Sequence, residues 1–316
     1  MEGVLTYMNT LDYIESESAR RDLKLLMGDR NNLEQRKLLD NENFPSVLYK
    51  YTSINQYSLL NLKNNVLTGT VPTEFNDLYD STMHFNTYTK KFNKIQELNL
   101  TAKKLGYENV IDKSAENQML KGSDEEDIFK STYLSKGFRV VSLSSSNKEI
   151  KMWSHYANNN KGICIEYKFR KVLHRVAKFI YPVLYVEKPI DVTDMCENDE
   201  KIDLAVLNSV ISKYKDWEYE KEWRIVLYIG YESNKKRIPV QSIPKPTCIY
   251  LGNKFIDNYE KCREDRNKES KEEFLLISEF LDYVKIMNIS LKVAKPQIRS
   301  YVLDFVDIDI KDILKN

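Results

Sequence analysis

WEYEKEWRIVLYI, residues Trp217–Ile229, ends in Ile225-Val226-Leu227-Tyr228-Ile229, a β-branched and aromatic run that reads as a buried strand. Five of the first eight residues are charged, and three of these are glutamates at alternate positions. Side chains two apart in an extended chain face the same way. A strand reaching back to Trp217 would therefore set Glu218, Glu220 and Glu222 on one face, with Tyr219, Lys221 and Trp223 on the other. Carboxylates so close repel one another and call for a cation or a ligand, and Arg224, on the face of Glu222, is the nearest candidate. The plain reading of the glutamates is a solvated strand end. The functional reading is that one of them polarises a ligand hydroxyl or binds a cation.

Working outward, strands are expected at Val47–Tyr51, Val66–Gly69, Phe138–Ser144, Gly162–Phe169, Ile180–Val186, Cys248–Leu251, Leu291–Ala294 and Tyr301–Val306. Thr52-Ser53-Ile54-Asn55 offers caps for a helix carrying Leu59, Leu60 and Leu62, and Glu149–Ala157 reads as a second helix. Phe274, Ile277, Leu281 and Val284 mark one face of a third. Strands and helices do not alternate regularly, which favours an α+β fold with a mixed sheet over a doubly wound one. The expected organisation is a helical N-terminal extension over 1–43 and an α+β main domain over 44–255. A helical insertion over 88–135 interrupts the main domain, and a C-terminal helix and strands over 256–316 pack on it.

The 316 residues suit one large domain or two modest ones, with 30% charged and 42% apolar residues. A net charge of +1 supplies no global field for nucleic acid or anionic membrane. Twenty-one tyrosines against nine glycines point to a sheet-rich core. The four cysteines show no close-paired spacing, and no leader segment or bilayer-length apolar run is present; a span needs roughly 20 residues. A cytoplasmic protein without a membrane partner is the expectation.

Four constellations carry chemistry. Ser142 and Ser144 sit at a strand end, where hydroxyls bind polar atoms or cap the next helix. In MWSHYANNNKGICIEYKF, residues 152–169, Trp153, His155 and Tyr156 make a candidate stacking site for a base or nicotinamide, or else an aromatic core helix. Asn76, Asp77 and Asp80 of the FNDLYD turn either bond their own backbone or hold a ribose or metal. Glu166-Tyr167-Lys168, taken with Asp77 or Asp80, would suit a metal-dependent nuclease of the PD-(D/E)xK kind. With three histidines in the chain, no histidine metal cluster is readable, and no metal is expected at the main site. No P-loop, G-x-G-x-x-G or G-x-S-x-G occurs.

The ordered blocks LYKYTSIN, FNDLYD, VSLSSS, MWSHYANNNKGICIEY, WEYEKEWRIVL and IYLG, over about residues 47–255, resemble a bacterial family catalogued as a domain of unknown function. That resemblance implies a cytosolic bacterial protein encoded near mobile or defence genes. More remotely, the chain resembles toxin-like ADP-ribosyltransferases. These carry an aromatic or basic residue on a first strand, a Ser-Thr-Ser-like strand, and an E-x-E leading into a late apolar strand. Tyr49-Lys50-Tyr51 with Thr52, then Ser142-Leu143-Ser144, then Glu220-Lys221-Glu222 stand here in that order. Lys50 or Tyr51 replaces the family's first-strand arginine, and Leu143 its threonine. The resemblance implies NAD as substrate, with Glu222 stabilising the oxocarbenium-like transition state and Glu220 orienting the acceptor. Ser144 would brace the site, and Lys50 or Tyr51 would contact the dinucleotide. Asn76, Asp77, Trp153, His155, Tyr156 and Arg224 complete the candidate pocket. The acceptor would be a protein or nucleic acid, in a toxin or antiphage effector with room for a protein partner or antitoxin. The alternatives are the nuclease and a non-enzymatic module binding a nucleotide, nucleic acid or peptide.

Overall fold

The computed structural model describes residues 45–77, 79–81, 83–84, 87–104, 136–169, 176, 179–191, 207–229, 235–265, 267–297 and 299–315. The expected extension over 1–43 and residues 105–135 of the insertion lie outside them, as do Leu204, His174 and Cys196.

The chain forms β1 (Val47–Thr52), α1 (Gln56–Asn64), β2 (Leu67–Thr70), β3 (Met83–His84) and α2 (Thr87–Lys104). Then come β4 (Phe138–Ser144), α3 (Ile150–Tyr156), β5 (Ile163–Lys168), β6 (Ile180–Pro182), β7 (Leu184–Val186), β8 (Ile190–Asp191), β9 (Ser212–Tyr214) and β10 (Glu222–Tyr228). Last are β11 (Arg237–Val240), β12 (Pro246–Leu251), α4 (Phe255–Glu264), α5 (Lys268–Met287), β13 (Ser290–Pro296), β14 (Leu303–Asp307) and α6 (Ile310–Lys315). Local chemistry sets the boundaries. Asn55 closes a capping box on α1: its Oδ1 accepts from the N–H groups of Tyr57 and Ser58, while its own N–H donates to Ser58 Oγ at 2.9 Å. The Asn158-Asn159-Asn160 run after α3 takes φ values of 47, 52 and 70°, the left-handed region that asparagine tolerates better than most residues.

The fold is α+β. One mixed sheet runs β11-β2-β4-β1-β5-β12-β13-β14, with β10 on β4 and β6 beyond β10. Its pairings are antiparallel except β12 with β13, which α4 and α5 connect. The segment after residue 255 thus extends the same sheet and shares its core. One sheet face carries Leu48, Val141, Leu143, Ile165, Ile225 and Ile249, packed on Phe255, Phe280 and Leu281 of α4 and α5. Each such buried side chain contributes roughly 1.5–3 kcal/mol.

The opposite face is polar where it matters. Register aligns Glu222 with Ser144, Ser144 with Tyr49, and Tyr49 with Glu166, so four strands place these side chains in one row.

β4 holds three strand partners. β10 covers one edge through its whole length, while the other edge meets β1 at Ser144 and β2 at Val140. β1 and β2 diverge between these points, and the sheet forks.

Two expectations from the sequence change here. The strand does not reach back to Trp217: residues Lys215–Glu220 form a 3-10 helix, and Lys221 turns the chain in the left-handed region (φ 47°, ψ 47°) before β10 starts. Alternation therefore fails, and Glu218 is exposed while Glu220 and Glu222 are buried. The single strand expected over Ile180–Val186 is two, because Val183 N–H donates to Glu222 O and Leu184 N–H to Ile211 O, switching the chain from β10 to β9.

Gly252 follows β12 where the Asn160 backbone crosses it. A Cβ there would lie 2.0 Å from Asn160 O and 2.6 Å from its carbonyl carbon, so main chain rather than a flexible side chain would have to move. Gly252→Ala should cost about 1–3 kcal/mol, read as a lower urea midpoint with an unchanged m-value. A midpoint equal to wild type would mean that the two segments separate freely.

Candidate functional site

The fork opens onto a cavity of about 410 Å³, within the range of small-molecule sites. β1 contributes Lys50 and Tyr51, β4 contributes Ser142 and Ser144, α3 contributes Tyr156, and the β9–β10 segment contributes Lys213, Glu220 and Glu222. At the gap no β1 or β2 residue is in register with Ser142, and Lys50 Nζ donates to Ser142 O at 2.9 Å. The ammonium thus replaces a ladder hydrogen bond. Burial lowers the Lys50 pKa, and Glu222 partly opposes that shift.

Behind the cavity wall lies a buried ionic network. Arg224, fully buried, donates from Nε to Glu222 Oε1 at 2.9 Å and from a terminal nitrogen to Glu222 Oε2 at 3.0 Å. Its far edge pairs with both oxygens of Asp80 at 2.8 and 2.6 Å, and it also reaches Val210 O. Lys213 Nζ sits among three carboxylates, 2.6 Å from Glu220, 3.3 Å from Glu222 and 3.4 Å from Asp80. Tyr156 donates its hydroxyl to Glu220 Oε1 at 2.7 Å. Ser144 Oγ donates to the carbonyl of Glu220 at 2.6 Å, tying β4 to the segment that carries the carboxylate. Glu222 N–H donates to Tyr185 Oη at 2.7 Å.

These environments push the two glutamates apart. Burial alone would raise Glu222, but Arg224 and Lys213 outweigh it and hold the carboxyl at about 2. Burial raises Glu220 above the usual carboxylate range; Lys213 opposes the shift and the charge of Glu222 adds to it. One carboxylate is fixed as an anion and its neighbour is eased toward accepting a proton, an arrangement suited to divided electrostatic and acid–base roles.

The depressed Glu222 pKa has a definite sign. Its stabilisation is present above the ordinary carboxyl value of 4.5 and is lost as pH falls toward about 2. Glu220, shifted the other way, opposes folding once ionised and does not contribute to that acid loss. The urea midpoint should fall between about pH 5 and pH 3, and Glu222→Gln should flatten this limb. An equally steep limb in the variant would remove Glu222 as its source.

The remaining candidates divide. Asn76 lines the cavity from the FNDLYD turn. Asp77 does not; its Oδ1 accepts from Tyr79 N–H at 3.0 Å in an Asx turn. Trp153 is fully buried, donates to Asn147 O and packs edge-on against Tyr51 at 5.3 Å, so no face is left for stacking. His155 is exposed, 3.2 Å from the Tyr219 hydroxyl, outside the cavity lining. Arg224 is in the network but behind the wall. Glu166 accepts from Thr247 Oγ1 at 2.6 Å and Tyr250 at 2.8 Å, and neither it nor Lys168 lines the cavity. Among the described residues no group of three His, Cys, Asp or Glu side chains is placed to hold a metal.

Sequence reasoning missed Lys213 as the second cation and Asp80 as the second carboxylate partner of Arg224. Charge balance was the available signal, since one arginine could not neutralise a cluster of carboxylates.

A family model described as a protein of unknown function (DUF2971) matches residues 152–225, a narrower span than the blocks quoted from the sequence. The matched segment runs from α3 into β10 and carries Tyr156, Lys213, Glu220, Glu222 and Arg224. No curated protein and no solved structure matches the chain at a significant level. Among the described residues no helix is long and apolar enough to cross a membrane.

Proposed function

We propose that the forked cavity binds the nicotinamide-ribose end of NAD and that the protein is an ADP-ribosyltransferase-like enzyme. The observation that carries this reading is one row of the sheet: Glu222 on β10, Ser144 on β4 and Tyr49 on β1 are register neighbours, with Glu220 tied to Ser144 beside them. The three separated sequence elements of the transferase pattern thus meet at a single cavity.

The fit is chemical as well as spatial. A ribose offers hydroxyl donors, and Glu222 and Glu220 offer acceptor oxygens at the wall. In the reaction the C1′–nitrogen bond breaks and its electron pair leaves with nicotinamide. Glu222, locked as an anion by Arg224, needs no reorganisation to stabilise the positive charge that develops on the ribose. Glu220 takes the proton of the incoming nucleophile as the new bond to C1′ forms. Lys50 offers a cation toward the anionic part of the dinucleotide. Transfer onto a protein or nucleic acid would suit a toxin or antiphage effector.

The test is incubation of the full chain with NAD and measurement of free nicotinamide, beside a thermal-shift titration. Stabilisation by NAD with nicotinamide release is expected. Stabilisation without release would leave a binding module, and no response to NAD would overturn the reading.

A further inference from the structure

The fork has a second mouth. On the other side of the β1–β2 gap lies a cavity of about 400 Å³ that shares Lys50, Thr68 and Thr70 with the first. Its electrostatics are opposite in character. The first cavity is rimmed by four carboxylates, Glu74, Asp80, Glu220 and Glu222. Among the described residues lining the second, none is acidic, and two are basic, Lys50 and Arg237; burial lowers the Lys50 pKa, and a bound anion would oppose that shift as Glu222 does.

Among the described residues, both side chains keep donors without a partner. The Arg237 side chain makes no hydrogen bond or ion pair to another described residue; its guanidinium lies 5.7 Å from the centre of the Tyr57 ring. Lys50 spends one ammonium N–H on Ser142 O, leaving two. Asn61 Oδ1 accepts from Thr68 Oγ1 at 3.0 Å, so the Asn61 amide N–H groups remain as donors. The hydroxyls of Tyr57 and Thr70 also line the cavity without a hydrogen bond to another described residue. The N-terminus of α1 contributes little, because Asn55 Oδ1 already takes the N–H groups of Tyr57 and Ser58.

A cavity with two cations, further neutral donors and no acid favours a compact polyanion, and the planar arginine fork suits phosphate oxygens in particular. We propose that this second cavity is a phosphate-binding site, held by Arg237 and Lys50, that takes a diphosphate group. The site does not depend on the transferase reading. The group would belong either to a dinucleotide threaded through the fork or to a separate phosphorylated ligand, and one ammonium, that of Lys50, faces both cavities.

Inorganic diphosphate is the probe. Calorimetric titration of the full chain at low salt, without NAD, should give saturable binding. Arg237→Ala should weaken it by about tenfold or more, as expected for loss of a charge-assisted contact. Lys236→Ala is the control: this neighbour is exposed, pairs with Glu74 and lines neither cavity, yet removes the same charge. Binding that survives Lys236→Ala but not Arg237→Ala supports the site. Equal weakening in both would reduce the effect to general charge attraction and overturn it, as would the absence of saturable binding by wild type. If NAD binds, competition between NAD and diphosphate assigns the group to the threaded dinucleotide, whereas independent binding assigns it to a separate ligand. Failure of NAD turnover leaves the diphosphate result standing on its own.

Discussion

Arg224→Leu should destabilise the protein by about 3–5 kcal/mol, a large part of the roughly 5–15 kcal/mol that holds a domain folded. The side chain is fully buried and engages Glu222 and Asp80, each through two hydrogen bonds. Removing it leaves both carboxylates buried, with Lys213 as the nearest described cation, already shared with Glu220. The cost is that of stranding charges rather than the net worth of the ion pairs, which burial largely offsets. Arg224→Lys should recover only part of the loss, because an ammonium cannot span two carboxylates with a planar fork. Urea unfolding followed by circular dichroism measures both. An Arg224→Leu midpoint within error of wild type would mean that water or rearrangement neutralises the cluster, and the rigid carboxylate on which the proposed chemistry rests would be lost with it.

The same network changes how the glutamates should be tested. An ideal Glu222→Gln variant would remove the charge and leave the fold intact. With Glu222 paired to both Arg224 and Lys213, that variant instead weakens folding along with activity. Glu220→Gln is the cleaner probe. Tyr156 can still donate to the amide oxygen, and Lys213 keeps Glu222 and Asp80. The stability loss should stay below about 1–3 kcal/mol, the cost of one buried charged hydrogen bond, because losing the Lys213 contact is offset by removing a carboxylate whose ionisation opposes folding. Nicotinamide release should fall about 10²–10⁴-fold, as expected for loss of a positioned general base, while thermal stabilisation by NAD persists. A folded Glu220→Gln protein that releases nicotinamide at the wild-type rate would remove Glu220 from the chemistry.

Much of this molecule was legible from residue order. Alternation and β-branching placed β1, β4 and β5 within a residue or two of their bounds, because those segments bury one face against α4 and α5 whatever the topology. Asn55 stood among the residues offered as caps for α1, and its side chain closes that helix. Lys50, Tyr51, Ser144, Glu220 and Glu222 were named from the sequence and share one cavity. Even so, the alternation assigned to the glutamates was wrong. A 3-10 helix and a left-handed Lys221 carry Glu220 inward, and local pattern could not distinguish that from a continued strand.

Residue order was enough to set the amphipathic segments and their caps, since these depend on neighbours within a few residues. Tertiary structure alone decided the fork at β4, the pairing of Arg224 with Asp80 across 144 positions, and the burial of Lys213 among three carboxylates. It also turned Trp153 into core and left His155 outside. The physical reason is that charge balance in a buried site is settled between distant strands, and no local periodicity records which cation will meet which acid.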